Sequence, residues 1–253
     1  MASRILQVLG LFRLDPGPWT VEAIAREMDV SQSSAYRDVQ ELSRFGFLDP
    51  VTGAGYVLGP AFIEYDRLSR QGDTLLKVAA PALRHLLETT TQSATAIICR
   101  RYRDMVMCVH QEAGLSPHPF TAYERGVAMP LFAGASSKVV LAHLDDRSLK
   151  RIYLDNAATI RERLGYGDWK AFKDQLRAIR KAGVVETASE VAEGRVGIAA
   201  PVFAEGQVVA GVSLVFNAAD VPIDAVPGFR AAVMAVGDAI SRRIAEGGTW
   251  IAR

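Results

Sequence analysis

Two helix-capping residues stand eleven positions apart in "TVEAIAREMDVS", Thr20 at the start and Ser31 at the end. Each is followed by apolar residues at helical spacing. Val21, Ile24, Ala25 and Met28 recur at i, i+3, i+4 and i+7 after Thr20, and Ala35, Val39 and Leu42 share a face after Ser31. So short an interval holds one brief helix and a tight turn at Asp29 and Val30 before the next helix begins. Upstream, Ile5, Val8, Leu9 and Phe12 place a first helix over 4–12, and the two prolines of "RLDPGP" end it. Downstream, "FGFLD" and "YVLG" are strand-like pieces joined by the turn-rich "PVTGAG". Helix, helix, tight turn, helix and hairpin, in that order, predict a winged helix-turn-helix.

The third helix presents Ser33, Arg37, Gln40 and Arg44 opposite its apolar face, bordered by Gln32, Ser34 and Tyr36. These are residue types that read nucleic acid: arginine fits guanine bidentately, glutamine fits adenine, and serine and tyrosine donate to phosphate. In a helix-turn-helix the second helix of the pair enters the major groove with its N-terminal residues leading. Gln32, Ser33, Ser34, Tyr36, Arg37 and Gln40 would then meet DNA at base edges and phosphates, while Arg44 and the wing residues Thr52 and Tyr56 hold its backbone. A solvated helix face is the other reading of the same stripe. Charge does not favour DNA: residues 1–70 hold seven arginines, no lysine and nine acids, a net of −2 in a chain of +1.

Past Pro60 the pattern is helical to a possible break at Gly72, with a longer helix over roughly 74–90. "ATAIICR" and "MVMCVHQE" read as a hairpin around "RYRD". "VAMPLFAG" reads as a strand leading into the helix "SSKVVLAHL", and about 146–182 as helical and charged. "RVGIAAPVFAE" and "VVAGVSLVFN" are two last strands around Gly206, before a helix over about 229–246. This part predicts a mixed α/β domain, an antiparallel sheet with helices on its faces. The expected organisation is a DNA-binding domain over 1–59, a linker helix over 60–75 and a sensor domain over 76–253.

Four segments, in this order, resemble the IclR family of bacterial transcription regulators. "IAREMDVSQSSAYRDVQELSRFGFL" is similar to its helix-turn-helix and "GYVLGPAF" to its wing end and linker. "RGVAMPLFAGASSKVVLAHL" resembles its strand–loop–helix, and "ASEVAEGRVGIAAPVF" its acidic loop and following strand. The resemblance implies a GAF-like effector-binding domain and assembly as a homodimer or homotetramer on operator DNA. Departures are Asp29 where the turn often has glycine, Ser137 in place of the glycine before Lys138, and Val57 where the wing commonly carries a basic residue.

"LFAGASSKVV" brings the small residues Ala133 to Ser137 into a helix start, where unpaired N–H groups suit a carboxylate or phosphate. Small residues equally suit close packing of a helix on a sheet. The resemblance implies that Ala135 and Ser136 hold an acid's carboxylate through their backbone. In members that sense small oxo-acids the side-chain partners are an acid, a cysteine and two serines, and these positions fall here on Thr187, Gly197, Ser213 and Val215. Glycine and valine remove hydrogen-bonding capacity, so the expected effector is a larger, partly apolar carboxylate, aromatic acids included, with Met129, Phe132 and Phe203 as walls.

Other classes find less support. The sequence holds no nucleophile elbow, phosphate loop, zinc-protease motif or dinucleotide fingerprint, so an α/β enzyme with an accessory winged helix is the lesser reading. A protein-docking adaptor is a third. Cys99 and Cys108 lack metal or redox spacing and read as free packed thiols, and His85, His110, His118 and His143 are scattered, so no metal or cofactor is expected. No apolar run could span a bilayer and the N-terminus lacks a signal-peptide layout, which predicts a cytoplasmic protein.

Overall fold

The computed structural model describes residues 3–13, 15–115 and 123–247. His118 and the prolines around it lie outside these. Two compact units divide at Asp73 and Thr74.

In the N-terminal unit, α1 (Arg4–Leu11), α2 (Val21–Glu27) and α3 (Gln32–Arg44) pack around Val8, Ile24, Ala35, Val39 and Leu48, all fully buried. Both caps form as the sequence requires: Thr20 Oγ1 accepts from Ala23 N at 3.1 Å and Ser31 Oγ from Ser34 N at 3.3 Å. Asp29 closes the turn between α2 and α3 at a φ of 53°, in the left-handed region that glycine adopts most easily. Asp38, on α3, is buried. Its carboxylate takes two hydrogen bonds from the Arg4 guanidinium on α1, one of them 2.9 Å.

α3 unwinds at Gly46, and Phe47 N donates back to Leu42 O, so the wing's first strand starts later than "FGFLD" suggests. The hairpin is β1 (Leu48–Val51) and β2 (Gly55–Leu58), antiparallel. Trp19 exchanges two 2.9 Å backbone hydrogen bonds with Tyr56, tying the hairpin to the segment before α2. α4 (Ala61–Gly72) completes the unit, with Phe47 stacked on Tyr65 and edge-on to Phe62.

The C-terminal unit is built on a six-stranded antiparallel sheet in the order β5-β4-β3-β8-β7-β6. These strands are β3 (Ala94–Tyr102), β4 (Met105–Ala113), β5 (Ala128–Pro130), β6 (Val185–Ala188), β7 (Arg195–Ala204) and β8 (Gln207–Asn217). α5 (Thr74–Thr89) and α10 (Val226–Glu246) cover one face, and the second core, on the other, takes in α6 (Ala135–Leu141), α7 (Asp146–Asp155), α8 (Ala157–Leu164) and α9 (Trp169–Ala182). β3 and β8 are the central strands. Their residues alternate between the two cores, Ile98 and Val212 to one, Ile97 and Cys99 to the other.

Three details differ from the sequence reading. "VAMPLFAG" gives only a three-residue strand, because the chain turns at Leu131 toward α6. The charged stretch, read only as helical, divides into three helices at Asn156 and Gly165. β6 was not expected; its four residues form an edge strand on β7.

Candidate functional site

The N-terminal unit exposes Gln32, Ser33, Tyr36, Arg37, Gln40 and Arg44 on α3, because Ala35, Asp38, Val39 and Leu42 turn inward. Several of these side chains are already oriented. Arg37 Nε donates to Ser33 O at 3.3 Å, and the Arg44 guanidinium lies 4.7 Å from the Phe45 ring centre. Ser34 is only half-exposed and bonds Ser31 Oγ at 2.9 Å, so its hydroxyl serves the cap. Gln40 Nε2 donates to Tyr56 Oη at 3.2 Å, which links the exposed face of α3 to the wing. Thr52 is exposed in the hairpin turn.

In the C-terminal unit a cavity lies between the start of α6, the strands β6 to β8 and the loop 189–194. It encloses about 40 Å³, room for about three waters. Six residues singled out from the sequence line it together: Ala135, Ser136, Thr187, Gly197, Ser213 and Val215. Strand register brings the last four together. Thr187 pairs with Gly197 and Gly197 with Val215 across three strands, while Ser213 pairs with Ala199 one step along the same face. Ser136 and Ser213 share a 2.6 Å hydrogen bond between their buried hydroxyls. Thr187 is 8% exposed and makes no side-chain hydrogen bond among the described residues, and its Oγ1 would lie 3.5 Å from a Cβ placed on Gly197.

Three expected wall residues lie elsewhere. Met129 is on the short edge strand β5, beyond β4 and β3 from the cavity strands. Phe132 packs in the apolar core under α6. Phe203 follows a bulge near the far end of β7, and its ring meets His143 edge-on at 5.1 Å. Burial there pushes the His143 imidazole below its usual range.

Tyr123, Glu190, Val191 and Arg195 line the cavity without having been singled out, beside Gly134 of the small-residue stretch. Glu190 is the informative one. One of its oxygens accepts from Gly134 N at 3.0 Å, and the other pairs with the buried Lys138 ammonium, which also donates to Tyr166 Oη at 3.4 Å. The peptide N–H just before α6 is thus already satisfied by an internal carboxylate. Tyr123 Oη donates to Ala133 O at 2.7 Å and shares a 2.8 Å bond with Ser137, and burial holds its phenol neutral, well above the usual range.

The small residues of α6 also serve packing. A Cβ on Gly211 of β8 would stand 2.7 Å from a Val139 methyl and 3.0 Å from Ser136 O, so helix and sheet meet closely there. Cys99 and Cys108 are buried free thiols opposite one another on β3 and β4, and burial raises the Cys99 thiol far above its usual range. Among the described residues no group of acids, histidines and cysteines could hold a metal ion, and no helix is long and apolar enough to cross a membrane.

Residues 69–242 match the family model for the bacterial transcriptional regulator IclR C-terminal domain, and residues 2–51 that for the IclR helix-turn-helix domain. A curated relative, the HTH-type transcriptional regulator BhcR of Paracoccus denitrificans (strain Pd 1222), is 28% identical over 216 residues, 84% of this chain and 75% of that protein. Among solved structures, an IclR transcriptional regulator from Alicyclobacillus acidocaldarius superposes with a TM-score of 0.76 at 20% identity, covering 95% of this chain and 97% of that one. An IclR homologue from Microbacterium hydrocarbonoxydans, complexed with 4-hydroxybenzoate, gives a TM-score of 0.77 at 21% identity, with the same 95% and 97% coverage.

Proposed function

This chain belongs to the IclR family of bacterial transcriptional regulators, and from that premise we propose that it governs a metabolic or catabolic operon in response to a small carboxylic acid. It is a regulator and not an enzyme, as its family and relatives are. It would work in the cytoplasm as a dimer or tetramer, placing two copies of α3 in successive major grooves of a pseudo-palindromic operator. The observation that carries the DNA reading is the outward row of Gln32, Ser33, Tyr36, Arg37, Gln40 and Arg44 on a capped helix braced by a wing. Thr52 and Arg44 would hold phosphates. Tyr56 acts through Gln40, whose amide it fixes.

For the effector, the supporting features are a half-open cavity lined by Thr187, a serine pair and apolar Val191, Val196 and Val215. A mostly apolar pocket with a few convergent polar groups is the usual form of a small-molecule site. The volume favours a short acid. An aromatic acid is the second reading, favoured by the 4-hydroxybenzoate in the Microbacterium homologue, and it requires the loop 189–194 to move outward. An effector shifts the regulator between states only by as much as it binds them unequally.

The test is binding of the whole protein to the DNA upstream of its own gene at low ionic strength, with glyoxylate and benzoate as probe acids. Salt-sensitive duplex binding altered by one of them is the expected result. No duplex binding under any of these conditions refutes the DNA reading, and binding indifferent to both acids counts against the effector reading.

A further inference from the structure

The family resemblance implies that an acid's carboxylate is held on the backbone at the start of α6, but Glu190 already sits at its entrance. Its carboxylate takes the Gly134 N–H and neutralises the buried Lys138. A second acid brought to that point would face Glu190 at close range, and like charges sharing a site repel strongly. The cavity has another cation. Arg195 opens β7 two residues before Gly197, on the same strand face, and lines the cavity. Its backbone is fixed by Ser189 N, which donates to Arg195 O at 2.8 Å, while its side chain makes no ion pair or hydrogen bond among the described residues. With Lys138 cancelled by Glu190, Arg195 is the one uncompensated charge among the described lining residues.

Resting on the carboxylic-acid reading above, we infer that Arg195 is the anchor of the effector's carboxylate, that Thr187 Oγ1 donates to the same acid, and that the effector carries a single negative charge. A planar guanidinium matches a carboxylate with two parallel hydrogen bonds. The hydroxyl of Thr187 lines the cavity and makes no hydrogen bond to the protein among the described residues, which leaves it available to the acid. A dicarboxylate would bring a second charge that meets only Glu190 or the apolar wall of Val191, Val196 and Val215.

Isothermal titration of the full-length protein with glyoxylate, butyrate and benzoate, their neutral amides, and the dicarboxylates malonate and succinate tests this. Wild-type protein is expected to bind at least one monocarboxylate and to bind its amide and both dicarboxylates about tenfold more weakly or worse. Arg195→Gln should weaken the monocarboxylate by about tenfold or more while leaving the amide unchanged, so that the acid-to-amide ratio collapses. Thr187→Val, nearly isosteric, should weaken the acid without lowering the melting temperature of the unliganded protein, and it reads the site even where Arg195→Gln folds poorly. A merely structural role would move the melting temperature and spare the ratio. Retention of the wild-type acid-to-amide ratio in folded Arg195→Gln, or of full acid affinity in Thr187→Val, overturns this inference and leaves the acid reading standing. Failure of every monocarboxylate to bind wild-type protein overturns both.

Discussion

At the level of single residues, Arg37 is the sharpest test of the DNA interface. It is exposed on the leading half of α3, and its Nε bond to Ser33 O aims the guanidinium along the helix face. Arg37→Ala should weaken operator binding by about 1–3 kcal/mol and relax preference at one base position, measured by titration against single-base operator variants. An equal loss on every sequence would mean that Arg37 touches only phosphate. Asp29 tests the turn instead. Left-handed backbone is tolerable for aspartate and poor for a β-branched side chain. Asp29→Val should therefore lower unfolding stability by about 1–2 kcal/mol in chemical denaturation, whereas Asp29→Gly should stay within about 0.5 kcal/mol. The turn residue itself was visible in the sequence. What was not visible was that Asp38, three positions from Ala35, faces inward, because its partner Arg4 is 34 residues away and ion pairing at that distance leaves no periodic trace.

Among elements, the wing is held by Trp19 as well as by its own two strands. Gly55 sits at a φ of 119°, and a Cβ there would lie 2.5 Å from Trp19 O. Gly55→Ala should cost about 2 kcal/mol or more of stability, read by thermal unfolding, and it should displace Tyr56 from Gln40. Gly197 behaves oppositely. A Cβ added to it meets Ala135 Cβ at 3.3 Å and Thr187 Oγ1 at 3.5 Å, in cavity space rather than backbone. Gly197→Ala should fold normally and bind the effector acid about tenfold more weakly, a separation of fold from ligand that calorimetry shows directly. Why some of this was legible and some not follows from range. Caps, turns and alternation act within a few residues, so α1 to α5, the β3–β4 hairpin and the β7–β8 hairpin could be read from spacing. The six residues that meet in the cavity were found because family-like motifs marked their positions. The proposed walls failed because size and hydrophobicity do not say which side of a sheet, or which end of a strand, a phenylalanine occupies. β6 is too short to show a period, and Glu190 lies within the loop it leads into and Arg195 just after it, where only the folded loop brings them to the cavity.

On the scale of the whole molecule, charge and apolar surface together argue that one copy is not enough. Residues 1–70 carry a net charge of −2, and one of their seven arginines, Arg4, is engaged by Asp38. Phosphate attraction supplies most non-specific DNA affinity, so a single module of this composition should bind weakly. α4 meanwhile leaves Phe62, Tyr65 and Leu68 exposed at intervals of three residues, with Leu68 45% accessible. Such a stripe on a helix supports pairing with a second copy. Pairing turns the second half-site contact into an intramolecular one, and the gain from linking two weak modules is about 10²–10⁴ in apparent affinity. Leu68→Glu places a charge in that stripe without touching the buried face of α4, so the fold should survive while the dimer does not. Light scattering should show a smaller assembly, and affinity for a two-half-site operator should fall by about 100-fold or more while affinity for an isolated half-site stays the same. Equal loss on both DNAs would point to damage within the module. An unchanged assembly would mean that α4 is not where the copies meet, and the avidity needed to offset the acidic N-terminal unit would have to come from another surface.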